Sequence, residues 1–492
     1  MSEPAKHQDA SLDHVLKYTG VFGGVQGFNI LIGIIRNKLA SKFLGAAGIG
    51  LMGFYISIAD FVNNCSNLGI PISSVQHISE LFEEDDLTRI QSFIKVVRTW
   101  CLWSALFACL LCLCAMCYDQ HVVLLAPMAV SAILTGGEIS ILKGLRRLKR
   151  VAVISLLVAV ATFCLTIPFF WALGMKGIIL SLDCCALATL IIHLAFTVPL
   201  FPWRVAPTSA EVFRRGFPLL RIGIPYVLTG IAGAGMAVAL QTFLKEHSSE
   251  TILGYYRVGY TMMVTYAGII FTALEADYFP RLSSVNHDVI RCNQTINRQI
   301  RACMLLLAPM LIALIVLMPL LLRLLYTEEF LPAVEMTVCA VFYMFFRCIA
   351  VPVAYTALAR GDSKIYMVME IIYDLFSLTA IILCYLQWEL AGIGIGLSIS
   401  ALFDALLVGL CYRRLYGFRI ESSTLLLTFE QMAMLALTVL ACLTLTPLWK
   451  YIAGSVLLIF SAAFSYFVLR RESNIVQHLL QKLSSCRKSQ SS

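Results

Sequence analysis

Apolar segments of 18 or more residues recur along this chain from end to end, separated by short breaks that are basic or contain Pro and Gly. Each is long enough to cross a hydrocarbon core of about 30 Å as a helix. Fourteen such spans fall at about 15–36, 47–70, 97–117, 122–143, 151–172, 177–199, 219–244, 252–279, 302–325, 333–358, 365–387, 391–411, 427–447 and 450–469. Only 13% of the 492 residues are charged, against about 25% in a soluble domain, and the mean hydropathy is +0.83. A water-soluble fold is thereby excluded, and the expected fold class is all-α, a polytopic membrane protein. The first dozen residues are polar and lack the basic start, apolar core and small-residue cleavage site of a signal peptide. The first span is therefore expected in the mature protein.

The net charge of +8 invites a nucleic-acid reading, but its distribution argues for topology instead. Loops after even-numbered spans hold Arg89, Lys95 and Arg98; Lys143, Arg146, Arg147, Lys149 and Arg150; Arg204, Arg214, Arg215 and Arg221; Arg281, Arg291, Arg298 and Arg301; Arg360 and Lys364; and Arg413, Arg414 and Arg419. Loops after odd-numbered spans hold Arg36, Lys38, Lys42, Lys176, Lys245, Arg323 and Lys450. The positive-inside rule then places the even loops and both termini in the cytoplasm. No nucleic-acid partner is expected. Among 17 cysteines, Cys109, Cys112, Cys114 and Cys117 share one span, where their spacing spreads them around the helix and favours packing over metal binding.

Landmarks repeat at a distance of about 200 to 215 residues: Gly20 with Gly223, Gly53-Phe54-Tyr55 with Gly254-Tyr255-Tyr256, Lys149 with Lys364, and Gly177-Ile178 with Gly392-Ile393. The implied organisation is a cytoplasmic tail over 1–14, a six-helix bundle over 15–205, a second over 206–420, two additional transmembrane helices over 421–470, and a cytoplasmic tail over 471–492. The repeats run in the same orientation. No connection is long enough to be a soluble catalytic domain.

Ionisable side chains inside hydrocarbon are costly unless they face water or a partner, so they are the first functional candidates. Arg257, one turn into span eight, and Arg347, near the middle of span ten, offer planar donor forks suited to phosphate oxygens. Arg36 sits at the outer end of span one. The competing readings are snorkelling to the interface and a structural pairing with an acid. Asp60, Glu138, Asp183, Glu275, Asp277, Glu335, Glu370, Asp374 and Asp404 also map within spans. Glu370 and Asp374 lie four residues apart on one helix face, where like charges repel and favour a shared proton or a bound cation. They and Asp60 are the candidates for coupling to H+ or Na+. The alternative is that one of the two acids pairs with Arg347 and the other reaches an interface. No other cofactor is expected.

Glycines in spans one, seven and twelve, among them Gly392, Gly394 and Gly396, mark close helix approach, since no strand precedes them as a dinucleotide fingerprint requires. His193 stands alone and reads as a satisfied interior histidine, and the sequon Asn293-Gln294-Thr295 falls in a cytoplasmic loop. No catalytic constellation is present in the sequence.

The Leu44-Gly45 to Gly53-Phe54-Tyr55 passage, Gly69-Ile70-Pro71, Lys143-Gly144-Leu145-Arg146-Arg147-Leu148-Lys149, Gly254-Tyr255-Tyr256 and Ala359-Arg360-Gly361-Asp362-Ser363-Lys364 together resemble the multidrug/oligosaccharidyl-lipid/polysaccharide (MOP) exporter superfamily. The resemblance is to its Wzx-like O-antigen and polysaccharide flippase branch. It implies two six-helix bundles in a V-shaped, MATE-like arrangement around a central cationic cavity, in the inner membrane of a bacterium. It also implies alternating access and an undecaprenyl-pyrophosphate-linked oligosaccharide as substrate, with membrane lipids and other polysaccharide assembly proteins as partners. On that reading Arg257, Arg347 and Arg36 would contact the substrate, and the protein would be a transporter rather than an enzyme. A multidrug antiporter of the same superfamily would need an acid-rich, aromatic cavity. A glycan ligase or polymerase would need a large extracytoplasmic loop bearing catalytic groups.

Overall fold

The computed structural model describes residues 4–84, 86–115, 120–266, 268 and 278–472. Cys117, Glu275 and Asp277 lie outside them. Within the described residues the regular structure is helical, with no strand, as a lipid environment requires of a backbone that must satisfy its own hydrogen bonds. The protein is an all-α, multi-pass membrane protein.

Among the described residues nine helical stretches are long and apolar enough to cross a membrane. Three of them are too long for one crossing. The longest, Ser363–Tyr416, has 54 residues and would extend roughly 80 Å as a straight helix. It is broken at Trp388 and Glu389, where Glu389 takes a left-handed φ of 48°. The stretch over 148–197 turns at Gly174, whose φ is 54°, and the first helix turns at Gly45, whose φ is 66°. Each break falls in an expected outer connection, so each stretch makes two crossings. The sequence reading of separate spans on either side of 37–46, 173–176 and 388–390 corresponds to these turns.

The chain divides into two compact units, one of residues 1–254 with 324–327, the other of 255–323 with 328–492. This partition by packing is a different division from the six-plus-six repeat expected from the sequence. The first unit contains α1 (Pro4–Ser66), α2 (Ile70–Glu83), α3 (Leu87–Ala115), α4 (Gln120–Leu124), α5 (Ala126–Gly144), α6 (Leu148–Leu173), α7 (Gly177–Thr197) and α8 (Ala210–His247). α9 (Glu250–Tyr260) straddles the division. In the first unit Gly254 lies against α1 so closely that a Cβ there would fall 2.0 Å from the Ala46 carbonyl oxygen. The second unit holds α10 (Val289–Leu325), α11 (Ala333–Cys339), α12 (Val341–Ala359), α13 (Ser363–Tyr416), α14 (Ser422–Thr444) and α15 (Pro447–Glu472). Its two α13 arms pack as a hairpin. Gly396 lies against Ile381 of the other arm, and Gly394 lies 2.2 Å, measured from an added Cβ, from the Met336 carbonyl of α11. The glycines of span twelve thus serve close packing.

The core of the first unit contains a feature that loop charge conceals. Arg98, counted above among cytoplasmic loop cations, is 1% exposed and points into the α2–α3–α5 core beside Ile90, Val97, Cys101 and Ile141. Its Nε and Nη2 donate to the two carboxylate oxygens of Glu138 at 2.8 and 2.9 Å. Nη1 donates to the carbonyls of Phe201 and Pro202 at 2.9 and 3.0 Å, and the guanidinium lies 4.8 Å over the Trp203 ring. The next two residues extend this grip on the α7–α8 connection. Thr99 Oγ1 accepts from the Ala206 amide, and Trp100 Nε1 donates to the Val212 carbonyl. Arg98 is therefore a structural cation, and its assignment to the topological charges is corrected: the span-end position is the same, but the side chain turns inward toward Glu138.

Removing one member of a fully buried pair leaves the other charge uncompensated, which costs about 3–5 kcal/mol. Arg98→Met and Glu138→Leu are each expected to lower the thermal midpoint and folded yield in detergent strongly. The double variant is expected to recover part of both, a comparison that thermal unfolding monitored by tryptophan fluorescence makes directly.

Candidate functional site

The second unit brings together Arg257, Arg347, Glu370, Asp374 and Asp404. α9 carries Tyr256, Arg257 and Tyr260, and passes into a π-helical segment at Thr261–Tyr266. Such wide turns interrupt the regular ladder and are frequent at functional sites. α12 contributes Tyr343 and Arg347, the first arm of α13 contributes Tyr366, Glu370, Tyr373 and Asp374, and the second arm contributes Asp404. Five positions on α9 and α12 and five on α13 thus converge from three helices.

Arg347 Nη1 donates to Asp404 Oδ2 at 2.9 Å, and the guanidinium sits 5.5 Å from the centre of the Tyr373 ring. Its electrostatic neighbours are Tyr343, Tyr373, Asp404 and Glu370. Asp374 in turn feels Glu370, Arg347 and Asp404. Tyr366 lies beside Glu370, one turn away on the same helix, and Tyr373 lies beside Tyr343 of α12. Tyr260 lies near both Arg257, on its own helix, and Arg347 of α12. Phe376 and Phe403 stack across the two α13 arms with centroids 3.8 Å apart, closing the apolar side beside Asp374 and Asp404.

The sequence alternative in which Glu370 or Asp374 pairs with Arg347 is corrected in one respect. The ion pair is with Asp404, 57 residues along the chain, which sequence reasoning recorded as an intraspan acid without giving it a partner. The i,i+4 spacing made Glu370 and Asp374 conspicuous; nothing local marks Asp404. Arg257 makes no ion pair with a carboxylate among the described residues.

Arg36 and Asp60 belong to the first unit, on opposite sides of the Gly45 break in α1. Arg36 is half-buried and acts electrostatically on Cys185 of α7, while Asp60 is exposed. Asp183 is engaged structurally, its Oδ1 accepting from the Met128 amide at 3.0 Å at the start of α5. His193 Nδ1 lies 2.7 Å from the Thr189 carbonyl, an interior contact within α7. Among the described residues no group of His, Cys, Asp and Glu is arranged to hold a metal ion.

The sequence profile of the family described as polysaccharide biosynthesis protein matches residues 15–286, more than half of the chain. The chain belongs to this family. Its structure is similar to "Lipid II flippase MurJ, inward closed conformation" at a TM-score of 0.66 and 14% identity, covering 92% of this chain and 99% of that one. It is also similar to an inward-facing multidrug resistance MATE family transporter of the MOP superfamily at a TM-score of 0.65 and 13% identity, over 79% and 94% of the two chains. A Vibrio cholerae MATE transporter matches at 0.52 and 14% identity, over 81% and 97%. No curated protein matches the chain significantly. The fold is that of the MOP superfamily, and the family is one of polysaccharide biosynthesis.

A cycle of Arg347→Met, Asp404→Asn and the double variant measures whether the pair acts as a unit. Neighbours in direct contact couple by about 0.5–3 kcal/mol, so the double variant is expected to be less destabilised than the sum of the singles. Thermal unfolding of the four proteins in one detergent reads that coupling.

Proposed function

We propose that this member of the polysaccharide biosynthesis family is a flippase that moves an undecaprenyl-pyrophosphate-linked oligosaccharide across the bacterial inner membrane by alternating access, with both termini in the cytoplasm. The observation that carries the reading is the placement of Arg257 and Arg347 in one tyrosine-lined locality of a membrane-embedded unit. A pyrophosphate and a hydrated glycan must be kept from hydrocarbon, because an isolated buried charge is very unfavourable there. Guanidinium groups hold phosphate oxygens through charge-assisted, often bidentate hydrogen bonds, and tyrosines present both flat faces and hydroxyls to a sugar. Arg36 is proposed as a further contact from the first unit. The O-antigen branch is the favoured assignment within the superfamily.

The acids around Arg347 supply a route to ion coupling. A substrate phosphate that engages Arg347 competes with Asp404 for the same donors. Asp404, Glu370 and Asp374 then repel one another with less cationic compensation, so arrival of the anion favours uptake of H+ or Na+ at Glu370 or Asp374. Asp60 is proposed as a second coupling position. Each charge that moves through the membrane contributes about 2.3 kcal/mol per 100 mV to the cycle.

The competing reading is a cation-coupled drug antiporter. The three carboxylates and several aromatics of the second unit favour it specifically, because they would suit an organic cation. The two arginines oppose it and favour the anionic lipid. A glycan ligase or polymerase has no observation in its favour.

Charge-assisted hydrogen bonds contribute about 1.5–3 kcal/mol each, so Arg257→Ala and Arg347→Ala are each expected to lower glycan export at least about tenfold while stable protein remains in the membrane. Surface glycan measured in a deletion strain carrying each variant tests this. Normal export by both would eliminate the anion-site role. For coupling, flipping by reconstituted vesicles is expected to slow when proton and sodium gradients are collapsed together, and Glu370→Gln and Asp374→Asn should remove that sensitivity. Flipping that ignores both gradients in the parent protein would sink the coupled cycle.

A further inference from the structure

At the basic end of the second unit, α13 ends at Tyr416 and α14 begins at Ser422. The short connection between them is held with unusual care. Asn293 of α10 donates through Nδ2 to the Gly417 carbonyl at 3.0 Å and accepts the Arg419 amide through Oδ1 at 3.1 Å. One turn on, Asn297 repeats the arrangement, donating to the Arg419 carbonyl at 2.9 Å and accepting the Glu421 amide at 2.9 Å. Gly417 adopts a left-handed φ of 69°, which starts the turn that this clamp fixes. Arg301 pairs with Glu421 at 3.3 Å and also donates to Ser423 Oγ, so the one acid of the connection is already neutralised.

The clamp presents Arg419 beside Arg413 over a groove of about 360 Å³ lined by Ala405, Leu406, Gly409, Leu410, Phe418 and Ile420. Both arginine side chains are exposed and form no ion pair among the described residues. Below them Leu406 and Leu410 are 55% and 62% exposed on α13, and nothing lies within 4 Å of a Cβ added at Gly409. Two guanidiniums therefore stand at the rim of an open groove with an apolar floor, near the end of a stretch long and apolar enough to cross a membrane.

We propose that this groove binds an anionic glycerophospholipid of the adjacent leaflet, its phosphate held between Arg413 and Arg419 and one acyl chain lying along Leu406, Gly409 and Leu410. Charge complementarity selects the headgroup, and the apolar floor selects a lipid over a soluble anion. The proposal needs only that the chain spans a membrane, so it stands or falls separately from the flippase reading.

The test is native mass spectrometry of the full chain in micelles with added phosphatidylglycerol or phosphatidylcholine, and with inorganic phosphate in millimolar excess. The parent protein is expected to retain phosphatidylglycerol in preference to phosphatidylcholine, and inorganic phosphate is expected to leave it bound. Arg413→Gln with Arg419→Gln should reduce retention roughly tenfold or more, and Leu406→Ser with Leu410→Ser should reduce it as well with the charges intact. The charge-matched control Arg89→Gln with Arg215→Gln, on the first unit, should retain lipid normally. Unchanged retention in the Arg413 and Arg419 variant, equal retention of phosphatidylcholine, displacement by inorganic phosphate, or equal loss in the control would each overturn the site.

Discussion

An arginine among apolar helices keeps its charge, so everything around it must be arranged to compensate that charge, and the manner of compensation separates structure from function. Arg98 is compensated completely. Its Nε, Nη1 and Nη2 all donate, to two carboxylate oxygens and two main-chain carbonyls, at 1% exposure. Four of its five N–H donors are engaged, and these bonds pin α3, α5 and the α7–α8 connection together. Arg347 has one hydrogen bond among the described residues, to Asp404, and its side chain is 24% exposed. Donor capacity left over inside a membrane protein is what a substrate anion requires.

In the first unit the pair is a tie between elements distant in sequence, 40 residues apart. In the second it joins α12 to the far arm of the α13 hairpin, whose close packing depends on Gly392 and Gly396 having no side chain. The hairpin sets the distance between Asp374 and Asp404, so the spacing of the acids around Arg347 is a consequence of backbone packing rather than of the charges themselves.

Most of the fold was legible because the membrane imposes one length and one requirement on each segment. The breaks at Gly45, Gly174 and Trp388–Glu389 lie between spans drawn from hydropathy alone. The site was legible in part. Arg257, Arg347, Glu370 and Asp374 are conspicuous because they interrupt apolar runs, and their convergence rests on helix packing that no local pattern encodes. Arg98 was misread because a cation at a span end looks the same whether it turns outward to a headgroup or inward to Glu138. Asn293 was read only as part of a sequon, whereas its i,i+4 relation to Asn297 places two amides on one face of α10, where both meet the backbone of the connection from Gly417 to Glu421.

The mixture of arginines and acids in the second unit does not by itself divide anion transport from cation transport, because each ligand would be attracted by one set and repelled by the other. What divides them is reciprocity. If an anion bound at Arg347 favours a cation at Glu370 or Asp374, then the cation must favour the anion by the same factor. A site with only acids could couple an organic cation to H+ or Na+ solely by exclusion, one leaving as the other enters. On the proposed reading, a site that also holds arginines would bind both ligands together, so that the anion and its coupling ion would share one conformation, and the energetic link would lie in the contact between Arg347 and Asp404.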